Sequence, residues 1–132
     1  MVLIVAAAAV VGMQRARANR LRISAADLLR VSTSGTPPVL LDVREPVLYA
    51  ASPYRVPGAV RVDPERLESE LTARGIDRAR SVVTCCVSDE RNSAQVARRL
   101  RALGYPRVRI LKGGLGGWAQ AGLPLESKPL GD

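Results

Sequence analysis

The chain has 132 residues, 47% of them apolar, with 20 Lys and Arg against 12 Asp and Glu for a formal charge of +8. That length and composition suit one domain with a buried core and exclude a disordered tail. The positive charge does not indicate a nucleic-acid binder, because outside Arg15 to Arg22 the arginines lie among acids, and one Trp and three Tyr offer no stacking platform for a single strand.

There is no His, and the two cysteines are neighbours in sequence. Such a set cannot build a tetrahedral metal site, a Cys–His nucleophile pair or a disulfide between distant segments. No metal and no cofactor is expected, and the thiols fit a reducing compartment.

Residues 1–13 are uniformly apolar, and Arg15, Arg17, Arg20 and Arg22 follow at once. The run falls short of the ~20 residues of a full span, and its charge comes after the apolar part, opposite to a secretory signal. The expectation over 1–22 is a short or truncated membrane anchor that leaves the domain on the cytoplasmic face, or in the cytoplasm if the helix is no anchor.

A domain over 23–128 follows, in which helical and strand signals alternate. Ser24 is placed to cap a helix from Ala25 to Val31, and Ser32 to Pro38 reads as a turn. Val39 to Val43 is a strand, and a looser segment with Pro46, Pro53 and Pro57 leads to a second one, Ala59 to Val62. Asp63 with Pro64 starts a helix to about Ala73, stopped at Gly75. Ser81 to Cys85 is the next strand. Ala94, Val96, Ala97, Leu100 and Leu103 recur at helical spacing up to Gly104. Arg107 to Leu111 is the last strand, and after the glycine-rich run from Gly113 to Gly117 a short helix lies near Ala119. This order predicts an α/β fold, a parallel sheet with helices on both faces, preceded by the short apolar helix.

Cys85 and Cys86 stand where the strand gives way to the polar stretch Val87-Ser88-Asp89-Glu90-Arg91-Asn92 and then to a helix. A thiol there faces backbone N–H groups and the positive end of a helix dipole, which favour a thiolate without any histidine. Ligands of such sheets collect at the carboxyl ends of the strands, where these cysteines lie. Spacing leaves two registers open: Arg91 completes C-x5-R from Cys85 and C-x4-R from Cys86. Trp118 reads as a core plug, and Asp42, Arg44 and Glu45 as scaffold at the sheet end.

Several motifs in order resemble the rhodanese-like (sulfurtransferase) family over about Ile23 to Glu126: Leu40 to Glu45, Val56-Pro57-Gly58-Ala59-Val60, Val82 to Cys85, and Leu111-Lys112-Gly113-Gly114 through Trp118. The stretch Cys85 to Ala94 is most similar to rhodanese domains fused to DedA-type membrane proteins, whose loop reads C-x-C-P-N-E and then S-A. Matching Glu90, Ser93 and Ala94 onto that loop puts the nucleophile at Cys85. Arg55 stands where the family usually has His, Thr84 where an aromatic is common, and the loop contains no glycine.

The resemblance implies a sulfurtransferase. Cys85 would take a sulfane sulfur from a small donor such as thiosulfate as a persulfide and pass it to a thiol or cyanide acceptor. Cys86, Val87, Ser88, Asp89, Glu90 and Arg91 would bind the substrate. Two alternatives stand beside it: a cysteine phosphatase using the C-x5-R loop, which Asp89 and Glu90 oppose by like charge, and a non-catalytic binding module.

Overall fold

Unbroken apolar, β-branched runs form the strands, and the amphipathic stretches between them form the helices. In the computed structural model, which describes residues 2–132, the order is α1 (Val2–Arg20), β1 (Arg22–Ile23), α2 (Ala25–Ser32), β2 (Val39–Asp42), α3 (Pro46–Ala51), β3 (Tyr54–Arg55) and β4 (Val60–Arg61). A 3-10 turn, Pro64–Arg66, then leads into α4 (Leu67–Ala73), β5 (Val82–Cys85), α5 (Arg91–Ala102), β6 (Val108–Leu111), α6 (Gly114–Gln120) and β7 (Glu126–Ser127). Met1, the first residue of the expected anchor, lies outside the described residues.

The main sheet is parallel, in the order β1-β6-β5-β2-β4. Alternate side chains leave its two faces. Leu41 and Val82 join Leu67, Leu71, Val96 and Leu100 in a layer under α4 and α5. Leu40, Val83 and Cys85 join Leu28 and Trp118 in a layer under α2 and α6. The expected α/β sandwich is therefore present. The chain leaves β2 for β4 and β5 for β6, toward opposite edges of the sheet, so the crevice between the carboxyl ends of β2 and β5 is the switch point at which such folds hold ligands.

Local signals act as the chemistry predicts. Ser24 Oγ accepts the Asp27 N–H at 3.1 Å and caps α2, and Asp63 Oδ1 accepts the Glu65 N–H at 2.9 Å ahead of α4. Three features differ from the sequence expectation. The proline-containing segment holds α3, because Pro46 occupies a first-turn position, where its missing N–H costs nothing. β3 and β7 form a separate antiparallel pair, Tyr54 opposite Ser127 and Arg55 opposite Glu126. The glycine-rich run is itself the start of α6 rather than a loop before it.

α1 is a helix, and its apolar side chains lie in the open, Leu3 at 86% exposure and Ile4 at 74%. Residues 2–13 rise roughly 18 Å against a hydrocarbon core of ~30 Å. No helix among the described residues is long and apolar enough to cross a membrane.

Candidate active site

The strand β5 ends at Cys85, and Cys86 begins the loop that follows it. Cys85 is 2% exposed and packs in the layer under α2 and α6, its Sγ 3.5 Å from the Cys86 carbonyl. Burial pushes its thiol pKa up, and the Asp42 carboxylate in the neighbouring strand adds to the effect. Cys86, one residue on and 3% exposed, lines a cavity of about 330 Å³. The loop supplies one wall of that cavity with Val87, Ser88 and Asp89, and α5 supplies Arg91, Asn92 and Gln95. Arg44, Glu45 and Leu48, from the segment after β2, close the opposite side.

The loop is held in shape from behind. Its Cys86 and Val87 carbonyls accept the Leu115 and Gly116 N–H groups of α6, both at 2.9 Å. A trans peptide carries its C=O and N–H on opposite sides. The Val87 and Ser88 N–H groups therefore point away from α6. Among the described residues the N–H groups of Val87, Ser88, Asp89 and Glu90 meet no protein acceptor. Such a row of amides at a helix start is suited to an anion. The close approach of α6 needs Gly114: a Cβ there would lie 2.3 Å from the Cys86 oxygen, and the residue has φ +55°.

The remaining loop residues divide by role. Asp89 Oδ1 accepts the Arg91 N–H at 3.2 Å, starting α5. Glu90 takes φ 60°, the one non-glycine residue with positive φ among the described residues. Its carboxylate turns away from the cavity to Arg22, with Nε to Oε1 at 2.8 Å and Nη2 to Oε2 at 2.6 Å, and also accepts the Gly113 N–H at 3.1 Å. Burial works to raise the Glu90 pKa, but the Arg22 and Gly113 hydrogen bonds outweigh it and hold the carboxyl below its ordinary value. Of the expected substrate-binding residues, Cys86, Val87, Ser88, Asp89 and Arg91 share the cavity, and Glu90 does not.

The far wall is built on a buried ion pair. Arg44 is a buried cation whose Nη2 lies 2.7 Å from Asp42 Oδ2 and donates to the Tyr54 carbonyl at 3.0 Å. Its guanidinium stands 4.9 Å from the centroid of Tyr49. Asn92 Nδ2 donates to the Val43 carbonyl and ties α5 to the end of β2. Thr84 Oγ1 donates to the Ser93 carbonyl at 3.1 Å, while Ser93 Oγ is buried without a partner among the described residues. The places of Glu45, Leu48, Asn92 and Gln95 in the cavity were not foreseen. The strand-end rule could have drawn in the residues after β2, since β2 and β5 pair in register as Asp42 with Cys85. Trp118 is a core residue, its Nε1 donating to the Pro124 carbonyl at 2.9 Å. Arg55 pairs with Glu126 at 2.7 Å, away from the cavity.

Comparison with known proteins fits this architecture. The chain is similar to the rhodanese-like domain of the Alr3790 protein from Anabaena sp., at 26% identity and a TM-score of 0.67, with 85% of this chain and 86% of that one covered. It is similar also to thiosulfate sulfurtransferase from Pseudomonas aeruginosa, at 26% identity and a TM-score of 0.68, over 80% of this chain but 19% of that one. BH2092 protein from Bacillus halodurans, 20% identical with a TM-score of 0.71 over 89% of this chain and 84% of its own, shares the fold. No curated protein matches the sequence. Residues 24–121 match the family model described as Rhodanese-like domain. Because that match runs from the N-cap of α2 to the C-cap of α6, and so takes in the cysteine loop, its cavity and both helical layers, the chain belongs to the rhodanese-like domain family.

Proposed function

We propose that the domain transfers a sulfane sulfur through a persulfide, and that Cys86 rather than Cys85 carries it. The observation behind this reading is the division of the two thiols. Both are buried, at 3% and 2% exposure, but Cys86 lines the cavity, with Arg91 completing the shorter C-x4-R register, and Cys85 packs in a core layer. Resemblance of the loop to DedA-linked domains favours Cys85. The pleat of β5 favours its neighbour.

In the first half-reaction the Cys86 thiolate attacks the outer sulfur of the donor. A new S–S bond forms as the donor's own S–S bond breaks, and sulfite, or a thiolate if the donor is a persulfide, leaves with the electron pair. Loop N–H groups and the Arg91 guanidinium meet the negative charge on the leaving group. In the second half-reaction an acceptor thiolate or cyanide attacks the outer sulfur, and Cys86 leaves as thiolate. The Asp89 and Glu45 side chains on the cavity wall disfavour dianions by like charge, so a singly charged persulfide suits the site better than thiosulfate or a phosphate monoester.

Intact mass after incubation with thiosulfate and, separately, with a small-molecule persulfide tests this. The parent and Cys85→Ser gain one sulfur atom, and Cys86→Ser gains none. Loading that survives in Cys86→Ser and vanishes in Cys85→Ser returns the nucleophile to Cys85. Turnover of an aryl phosphate with no sulfur gained by any chain would replace the reading by the phosphatase one.

A further inference from the structure

The loop lacks glycine, yet its last residue adopts a backbone conformation that glycine ordinarily supplies. Glu90 stands at φ 60° and ψ −2°, immediately before α5. For an L-residue with a long side chain this left-handed geometry is unfavourable, and Glu is not among the residues that visit it readily. Something outside the loop has to hold it there.

Three hydrogen bonds do so. Both Glu90 carboxylate oxygens pair with Arg22 of β1, and one also accepts the Gly113 N–H at the turn between β6 and α6. The Arg22 and Glu90 side chains are 37% and 20% exposed, so the pair is partly shielded, and its two-pronged geometry fixes orientation as well as distance. Arg22 lies 68 positions away in sequence, on the edge strand that follows α1. Gly113 belongs to the same corner whose next residues, Leu115 and Gly116, hold the Cys86 and Val87 carbonyls. The two ends of the loop are thus pinned by neighbouring points of the scaffold, and the free amides of Val87 to Glu90 lie between them.

We propose that Glu90 is a positioning residue: clamped by Arg22 and the Gly113 amide, it stands in for the missing glycine and sets the loop amides around Cys86. It rests, for its consequence in catalysis, on the sulfur-transfer reading above. In this role the acid repels no substrate, because its charge is committed to Arg22 outside the cavity.

The test uses the full chain with Glu90→Ala, Glu90→Gly, Arg22→Met and the double variant Arg22→Met with Glu90→Ala. Two quantities are read: amide hydrogen exchange at Leu115 and Gly116, whose N–H groups hold the Cys86 and Val87 carbonyls of the loop, and the rate of sulfur gain on Cys86 at saturating persulfide. Glu90→Ala keeps the backbone strain and loses the clamp, so exchange rises and sulfur gain slows, each by roughly 10-fold. Glu90→Gly has no such strain and recovers most of both. Arg22→Met moves both quantities the same way but less far, because the Gly113 bond to Glu90 remains, and the double variant is no worse than Glu90→Ala, in which the Arg22 partner is already lost. A role in charge alone makes Ala and Gly equal, which overturns the proposal, as does parent-like exchange in Glu90→Ala or an additive double variant. If exchange responds as expected while no chain gains sulfur, the positioning role stands and the sulfur-transfer reading falls instead.

Discussion

Substituting Asp42 by Asn removes one charge from a pair that has almost no contact with water. The Asp42 and Arg44 side chains are 3% and 1% exposed, and the carboxylate receives Arg44 Nε at 3.0 and 3.1 Å, Nη2 at 2.7 Å and the Arg44 N–H at 3.2 Å. Asn keeps the shape and one acceptor but leaves a buried guanidinium facing a neutral amide, the Tyr54 carbonyl and the Tyr49 ring. Breaking a buried pair from one side costs about 3–5 kcal/mol, a large share of the ~5–15 kcal/mol that holds a domain of this size together. In urea, with a slope of about 2 kcal/mol per molar, that is a fall of roughly 2 M in the unfolding midpoint. Circular dichroism at several urea concentrations reads it directly. The double variant Asp42→Leu with Arg44→Met removes both charges and recovers most of the loss, because no uncompensated charge remains. Arg30→Gln is the control: its pair with Asp27 is 75% and 56% exposed, and its removal leaves the midpoint in place. A midpoint for Asp42→Asn within about 0.5 M of the parent, or a double variant less stable than the single one, refutes the argument.

Gly114→Ala drives a methyl into the Cys86 carbonyl, so the loop or α6 must shift; the expected cost is about 1–3 kcal/mol together with loss of most sulfur loading, and a parent-like midpoint with full loading would contradict the close packing at that point. Tyr49, buried and donating to Asp132 Oδ2 at 2.7 Å, has its pKa pushed up to about 12. A raised value means that the folded chain keeps this proton longer than the unfolded one. The contribution is therefore complete below the ordinary value of about 10 and is lost as pH climbs from there to about 12. Ultraviolet titration shows a late ionising step that Tyr49→Phe removes, together with a flatter alkaline loss of stability; a late step unchanged in Tyr49→Phe would contradict it.

The parallel sheet was legible because its strands are continuous buried runs and its helices carry one apolar stripe; the four residues of β5 are all buried, as such a run requires. α3 was hidden because six residues with one buried side chain, Tyr49, show no period, and the prolines around it read as breaks. β3 and β7 were hidden because two-residue strands cannot alternate. The surroundings of the two cysteines follow from the pleat: Val83 and Cys85 share one face of β5 and one core layer, and Cys86 stands one residue beyond the strand, at the start of the loop.

Glu90 is the opposite case. Its acid side chain, placed by sequence inside an anion-binding loop, argued for electrostatic cost at the site, yet the fold turns the carboxylate out to Arg22 and Gly113. Nothing local foretells that, because the partner is on another strand and the need for it arises from a positive φ that only the folded loop imposes. A glycine would have met the same backbone demand without a partner but would have left the loop untethered from β1. With Glu90 in place, the shape of the cavity beside Cys86 depends on the edge strand that follows α1. A disturbance of that edge would reach the thiol through one ion pair.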